Sequence, residues 1–178
     1  MDITTGNFYF VSDDFFDKVN DPNLKRNYEK TQRPHYFALR DKEASLLWLI
    51  PCSSKIEKFE RIIEKREKYN KQNSTIKIVT VQGKKTVLLL QDMFPITENY
   101  ITNQYFRGGQ PFRISNPEIV KDIERSARRV IILLEKGYKF TPTQPDVNRI
   151  KNLMLSEWNE EIEIVEDMNE TDDFDLHM

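Results

Sequence analysis

An α+β fold is predicted by three observations: short apolar runs rich in β-branched and aromatic residues, a hairpin signal at Gln82-Gly83-Lys84, and two long stretches whose apolar residues recur at helical spacing. Taken in order, Asn7-Phe8-Tyr9-Phe10-Val11 reads as a first strand. Ser12-Asp13-Asp14 then starts a short helix over residues 13–19 that carries Phe15, Phe16 and Val19. Residues 21–33 are polar, basic and proline-containing, and read as a mobile loop. His35 to Leu39 and Leu46 to Ile50 follow as two strands joined by the charged turn Arg40-Asp41-Lys42-Glu43, and their apolar runs suit the middle of a sheet covered on both faces.

Residues 55–72 form the first long helix, with Ile56, Phe59, Ile62 and Ile63 in a narrow apolar stripe and Lys58, Arg61, Lys65, Arg66 and Lys68 over much of the remainder. Such charge is usually a solvated face. Residues 75–81 and 85–90 make the two arms of the hairpin, and Met93-Phe94-Pro95-Ile96 adds a strand at an edge, because proline withholds a ladder donor. Ser115-Asn116-Pro117-Glu118 starts a helix that runs to about Lys136, with Gly137 after its end. Ile119, Ile123, Val130, Leu133 and Leu134 supply its core side and Arg125, Arg128 and Arg129 its flank. A last short helix is expected from Asp146 to Glu157.

Charge is segregated along the 178 residues. Ten of the 29 acidic residues lie between Glu157 and Met178, where there is no Lys or Arg, so residues 1–156 hold 27 basic against 19 acidic residues, a body of +8. The organisation expected is one domain over residues 1–157 and an acidic tail over 158–178. A basic body suggests a polyanionic partner. The tail is then either disordered or a shield for the basic surface, or a solvated end with no role.

Other classes recede. No apolar run of about 20 residues exists for a membrane span, and the N-terminus has no basic region followed by an apolar core, so the cytoplasm is the expected location. Cys52 is the single cysteine, which excludes an intramolecular disulfide framework. With only His35 and His177 beside it, a conventional zinc cluster cannot be assembled. Metal-free chemistry without a cofactor is favoured over a carboxylate-bound magnesium.

The most informative stretch is Leu49-Ile50-Pro51-Cys52-Ser53-Ser54-Lys55-Ile56-Glu57-Lys58, where an apolar strand runs into a charged helix. Two hydroxyls and an ammonium meet there. Free N–H groups and the macrodipole at a helix start favour an anion such as phosphate. Equally, Ser54 with Glu57 has the spacing of a capping box, which would start the helix and do nothing more. Arg125, Arg128 and Arg129 leave a similar pair of readings, forked contacts to phosphate or salt bridges to carboxylates.

Four strings in order resemble the ToxN/AbiQ family, and within it the CptN branch: Phe8-Tyr9-Phe10-Val11-Ser12, Arg33-Pro34-His35-Tyr36, Ile50-Pro51-Cys52-Ser53-Ser54-Lys55, and Gln91-Asp92-Met93-Phe94-Pro95. These are the endoribonuclease toxins of type III toxin–antitoxin systems, which act in phage defence. The resemblance spans roughly residues 7–157, and the Pro-x-Ser-Ser-Lys junction is its most specific part. It implies a strongly bent antiparallel sheet or partial barrel surrounded by helices, similar to the MazF/Kid toxin fold. It also implies metal-independent cleavage of cellular RNA to 2′,3′-cyclic phosphate and 5′-hydroxyl ends. The partner implied is an antitoxin RNA of repeated pseudoknots, processed by the toxin and closing with it into a ring of alternating protein and RNA.

Attack by a ribose 2′-hydroxyl needs a group to take its proton, a donor to the leaving 5′-oxygen, and positive charge at the nonbridging oxygens. Lys55 suits the last role, and Ser53 and Ser54 suit orientation of the phosphate. The family pattern has a Thr-Ser pair with a Lys shortly after; Ser53 and Lys55 match it, and Cys52 stands in place of the threonine, leaving Cys52 idle or Ser54 in that work. His35 follows Pro34 where relatives often carry lysine, and is expected either to exchange protons near neutral pH or to be structural. Tyr9 is a candidate for orientation or a core residue. Arg33, Lys58 and the three arginines are candidate phosphate contacts, and Lys25 and Tyr28 pair charge with an aromatic ring as unpaired bases require. The alternatives to a nuclease are a non-catalytic RNA- or DNA-binding module that grips phosphate at Ser53-Ser54-Lys55, and a protein-interaction domain with solvated charged helices.

Overall fold

The computed structural model describes residues 1–41, 45–69, 71 and 75–174. Lys42 and Glu43 of the expected charged turn, and the last four residues of the acidic tail, lie outside them. The chain forms β1 (Phe8–Val11), α1 (Asp13–Val19), β2 (His35–Arg40), β3 (Leu47–Ser53) and α2 (Ile56–Lys68), then the hairpin β4 (Ile76–Val81) and β5 (Lys84–Leu89). After these come β6 (Phe94–Ile96), β7 (Ile101–Gln104), a small hairpin of β8 (Phe106–Arg107) and β9 (Gln110–Pro111), α3 (Pro117–Glu135) and α4 (Val147–Phe174). The main sheet is antiparallel in the order β4-β5-β3-β2-β1-β7, with β6 alongside β3. Extra residues at Thr102 of β7, opposite Phe10 and Val11, and at Ala38 of β2 shift its register, and such bulges bend strands. No pairing joins β4 to β7 among the described residues, so the expected α+β partial barrel is open.

Local chemistry accounts for several elements. Gln82 and Gly83 both have positive φ, 49° and 74°, the geometry of a two-residue turn that matches strand twist, and Val81 pairs with Lys84 across it. At the start of α3 the Asn116 side chain accepts from the Glu118 N–H at 2.9 Å, with Pro117 in the first turn. Gly137 closes that helix with φ 79°, its N–H reaching the Leu134 carbonyl and that of Tyr138 the Leu133 carbonyl.

β2 and β3 are covered on both faces, as their apolar runs predict. On one face Tyr36, Trp48, Ile50 and Leu88 pack against Ile123, Ala127, Val130 and Leu134 of α3. On the other, Tyr9, Phe37, Leu49 and Phe94 meet Phe15 and Phe16 of α1 and Ile150 and Met154 of α4. Phe59 of α2 covers Ile76, Val87 and Leu89 of the β4–β5 hairpin. Each large side chain removed from water contributes about 1.5–3 kcal/mol before entropy is counted.

Several features differ from expectation. β3 continues past Ile50 through Pro51, Cys52 and Ser53. Its other partners divide it, β6 pairing Leu47 to Leu49 and β5 pairing Cys52 and Ser53. The Cys52 N–H points to β2, where it meets the Pro34 carbonyl at 3.2 Å. Backbone donors alternate sides along a strand, so the donor missing at Pro51 falls in the gap between β6 and β5, and a central strand tolerates it. On α3, Ile119 and Leu133 are 38% and 39% exposed: Ile119 sits in the first turn at a cleft mouth, and Leu133 lies off the stripe that Ala127, Val130 and Leu134 bury. α4 does not stop at Glu157, because no Pro or Gly interrupts residues 147–174 and glutamate favours helix. The loop over residues 21–33, expected to be mobile, is pinned: the Asn27 amide donates to the Val11 carbonyl and to Asp13, each at 2.9 Å, and Asn27 Oδ1 accepts from the Arg33 N–H.

Candidate active site

The Ser53-Ser54-Lys55 junction lies where β3 leaves the sheet. Cys52 and Ser53 are still paired with Leu88 and Val87 of β5, and α2 begins at Ile56 with Lys55 as its cap residue. The expected capping box is absent. Lys55 provides no side-chain cap, Ser53 Oγ accepts from the Lys55 N–H at 3.2 Å, and Glu57 instead lies 3.8 Å from Arg61 on the exposed helix surface. The longer β3 moves the helix start one residue on, so Ser54 falls before the cap and its side chain is exposed. Ser53 is buried and positions the backbone.

Two clefts meet at Ser54. One, of about 520 Å³, opens over Cys52, Ser53 and Ser54 and is walled by Phe10, Tyr105 and Phe112, with Tyr28, Thr31 and Gln32 on one rim and Lys84 and Thr86 on another. The other, of about 510 Å³, starts at Ser54 and Lys55 and follows Lys58 and Arg61 along α2, with Glu57 also on its wall. An aromatic wall with hydroxyl and amide edges beside a row of cations is the pairing that holds an unpaired nucleotide. Phe10, Lys84, Thr86, Tyr105 and Phe112 escaped the sequence reading. Period-two alternation already puts Lys84 and Thr86 on one face of β5, but only tertiary pairing sets that face beside Ser53.

Arg33 braces this junction from the loop side. Its guanidinium donates to the Cys52 carbonyl at 2.6 Å and to the Arg26 carbonyl at 3.0 Å, and lies 4.4 Å from the centre of the Tyr28 ring. Two donors of Arg33, expected to contact phosphate, are thus engaged by internal carbonyls. Lys25, expected to meet RNA, has its ammonium 3.8 Å from the buried Asp92 carboxylate. Burial raises the Asp92 carboxyl above its usual range, against the pull of Lys25 and Arg33.

His35 and Tyr9 stand apart from both clefts. Their Cα positions pair across β1 and β2, and both side chains are fully buried. The His35 ring packs against Phe16 and Phe94, and burial, with the Arg33 charge, lowers its pKa to about 3, so it does not exchange protons near neutral pH. The backbone of Lys25 and Arg33 lies beside the ring, yet neither nitrogen finds a partner of good hydrogen-bond geometry among the described residues. Tyr9 is a core residue whose hydroxyl accepts from the Thr4 N–H at 2.9 Å. Burial also pushes the Cys52 thiol up to about 12, which keeps it protonated at neutral pH.

Arg125, Arg128 and Arg129 are exposed on α3 and line neither cleft; Arg128 pairs with Glu124 at 2.7 Å. Among the described residues no three of His, Cys, Asp and Glu come together as a metal site, and no helix is long and apolar enough to cross a membrane.

No protein-family model matches the chain, and no curated protein matches it. Among solved structures the chain is similar to AbiQ, a lactococcal anti-phage endoribonuclease belonging to the type III toxin–antitoxin system. The two align with a TM-score of 0.68 at 14% identity, over 88% of this chain and 99% of AbiQ. At that identity the likeness is one of fold, an α+β arrangement of helices around a large antiparallel sheet.

Proposed function

We propose that this chain is the toxin endoribonuclease of a type III toxin–antitoxin system, acting in the cytoplasm and held inactive by a pseudoknot-repeat antitoxin RNA that it processes and with which it closes a ring. The reading is carried by one observation: the exposed Ser54 hydroxyl and Lys55 stand where an aromatic cleft meets a cationic one, on a fold shared with an anti-phage endoribonuclease. In the reaction the 2′-oxygen bonds to phosphorus as the bond to the 5′-oxygen breaks; the 2′-proton is taken up and the leaving oxygen gains one. No metal or redox partner is needed for that balance. Lys55 stabilises charge on the nonbridging oxygens, Ser54 orients the phosphate, and Ser53 holds the Lys55 backbone through its 3.2 Å bond. Tyr28 and the aromatic wall take the base beside the scissile bond, and Lys58 the next phosphate along α2.

Burial of His35 and Tyr9 takes two candidates away from proton transfer, and that observation favours the second reading, a module that grips RNA phosphate without cutting it. Incubation of the full chain and of Lys55→Ala with end-labelled RNA in EDTA separates the two. The nuclease reading expects cyclic-phosphate ends from the wild type and a rate lower by roughly 10²- to 10³-fold in the variant. Intact RNA with both folded proteins bound to it would establish the binding module instead.

A further inference from the structure

At the far end of α2 lies a second groove, of about 730 Å³, that the cleavage site does not use. Two of its tyrosines are well exposed, Tyr69 at 62% and Tyr138 at 54%, and Tyr138 meets Phe140 edge to face at 4.9 Å to form an aromatic ledge. Lys65, Arg66 and Lys71 also line the groove, and among the described residues no acidic side chain does. Arg66 is fixed in place, donating to Thr75 Oγ1 at 3.0 Å and to Gln91 Oε1 at 3.3 Å, whereas Lys65 and Lys71 have no ion pair among the described residues. Exposed rings cost solvation unless something stacks on them, and unpaired ammoniums around them select an anion.

The groove is joined to the Ser54-Lys55 junction. Lys58, Arg61, Lys65 and Lys68 recur at intervals of three and four, so they share one exposed face of α2; Glu57, Glu60, Glu64 and Glu67 run along its edge, where Glu57 lies 3.8 Å from Arg61. Lys58 and Arg61 line the cleft at the junction and Lys65 lines the far groove, making one cationic stripe along about 21 Å between Lys55 and Tyr69 at 1.5 Å per residue.

We infer that the groove between Tyr69 and Tyr138 is a docking site for unpaired RNA bases, and that the α2 stripe leads the strand from there to the junction. Aromatic rings that stack bases, joined to a track of cations that follows the backbone, are what a single strand requires, and stacking tolerates any base sequence. An acidic peptide would match the cations but leave the two exposed rings without a planar partner. The inference rests on the proposed RNA-cutting function for its ligand, but its residues are separate from those that would cut.

The test uses the full chain and a labelled 2′-deoxy oligonucleotide of about 12 residues, which has no 2′-hydroxyl to attack and spans a single-strand site of ordinary size. Fluorescence anisotropy should show Tyr69→Ala/Tyr138→Ala binding about tenfold or more weakly than wild type, since each lost stack costs on the order of 1–3 kcal/mol. Tyr69→Phe/Tyr138→Phe should bind within about twofold of wild type, because the rings remain. Lys65→Gln should flatten the salt dependence of binding. Cleavage of a very short RNA that covers only the junction should be unchanged in all of them. Wild-type affinity in the double alanine variant, or displacement of the oligonucleotide by poly-glutamate as readily as by unlabelled RNA, overturns the docking site and leaves the nuclease reading intact. Tyrosine-dependent binding without any cleavage overturns the nuclease reading and leaves the docking site standing.

Discussion

The Arg33 guanidinium is bonded to the Cys52 carbonyl at 2.6 Å while its face covers the Tyr28 ring at 4.4 Å, so one side chain ties the loop rim of the cleft to the strand that presents Ser53 and Ser54. Arginine can do this because its planar fork donates in several directions at once. Arg33→Ala should therefore lower stability in urea by about 2–3 kcal/mol and slow RNA cleavage, and Arg33→Lys should restore little of either, since an ammonium cannot bridge both carbonyls and stack. Full recovery in the lysine variant would show that charge alone matters at this position.

Burial of His35 makes stability depend on pH. The folded ring stays neutral down to about pH 3, whereas the unfolded chain takes up its proton below about 6.5, so the contribution is whole above 6.5 and is lost as pH falls toward 3. Wild type should be about 2 kcal/mol less stable in urea at pH 5 than at pH 7, and His35→Phe, which keeps a ring against Phe16 and Phe94, should lose most of that slope. Equal slopes in the two proteins would contradict the assignment.

Cys52 should behave as a core side chain. It is 3% exposed with its pKa raised to about 12, so iodoacetamide at neutral pH should leave the native protein unmodified by mass and label it promptly in urea. Cys52→Ala should cleave at the wild-type rate while losing about 1 kcal/mol of stability through the small cavity. A large loss of rate with the fold intact would return the sulfur to the reaction.

Glu57 offers a clean contrast. Since Ser54 is not the cap and Glu57 does not reach back to it, Glu57→Ala should change stability by no more than about 0.5 kcal/mol, the range of an exposed surface position. A capping box would lose about 1 kcal/mol or more on the same substitution, which thermal and urea unfolding resolve.

Legibility followed locality. The Gln82-Gly83 hairpin, the Asn116-Pro117 start and Gly137 end of α3, and the phenylalanines of α1 depend on neighbours in sequence, and each is found where its signal lies. The strand expected to end at Ile50 runs on through Pro51, and only the division of β3 between β6 and β5 shows where the missing proline donor is harmless. The same holds for the site. Ser53-Ser54-Lys55 stands out as a string, but its surroundings come from β1, the loop over residues 21–33, β5 and the residues flanking the β8–β9 hairpin, segments that no local pattern brings together. His35 and Tyr9 looked reactive because residue type reveals chemistry without burial.

The division of β3 has a consequence for how such a protein can diversify. Ser53 is fixed by the most interior strand, where slipping one residue would turn every side chain to the opposite face. The Tyr28 rim, with Thr31 and Gln32, belongs to the loop over residues 21–33 at the sheet margin, where insertion and substitution are tolerated, whereas Phe112 of the opposite wall is held in the core. The rim of the cleft could change one surface residue at a time without rebuilding the strand that carries Ser53.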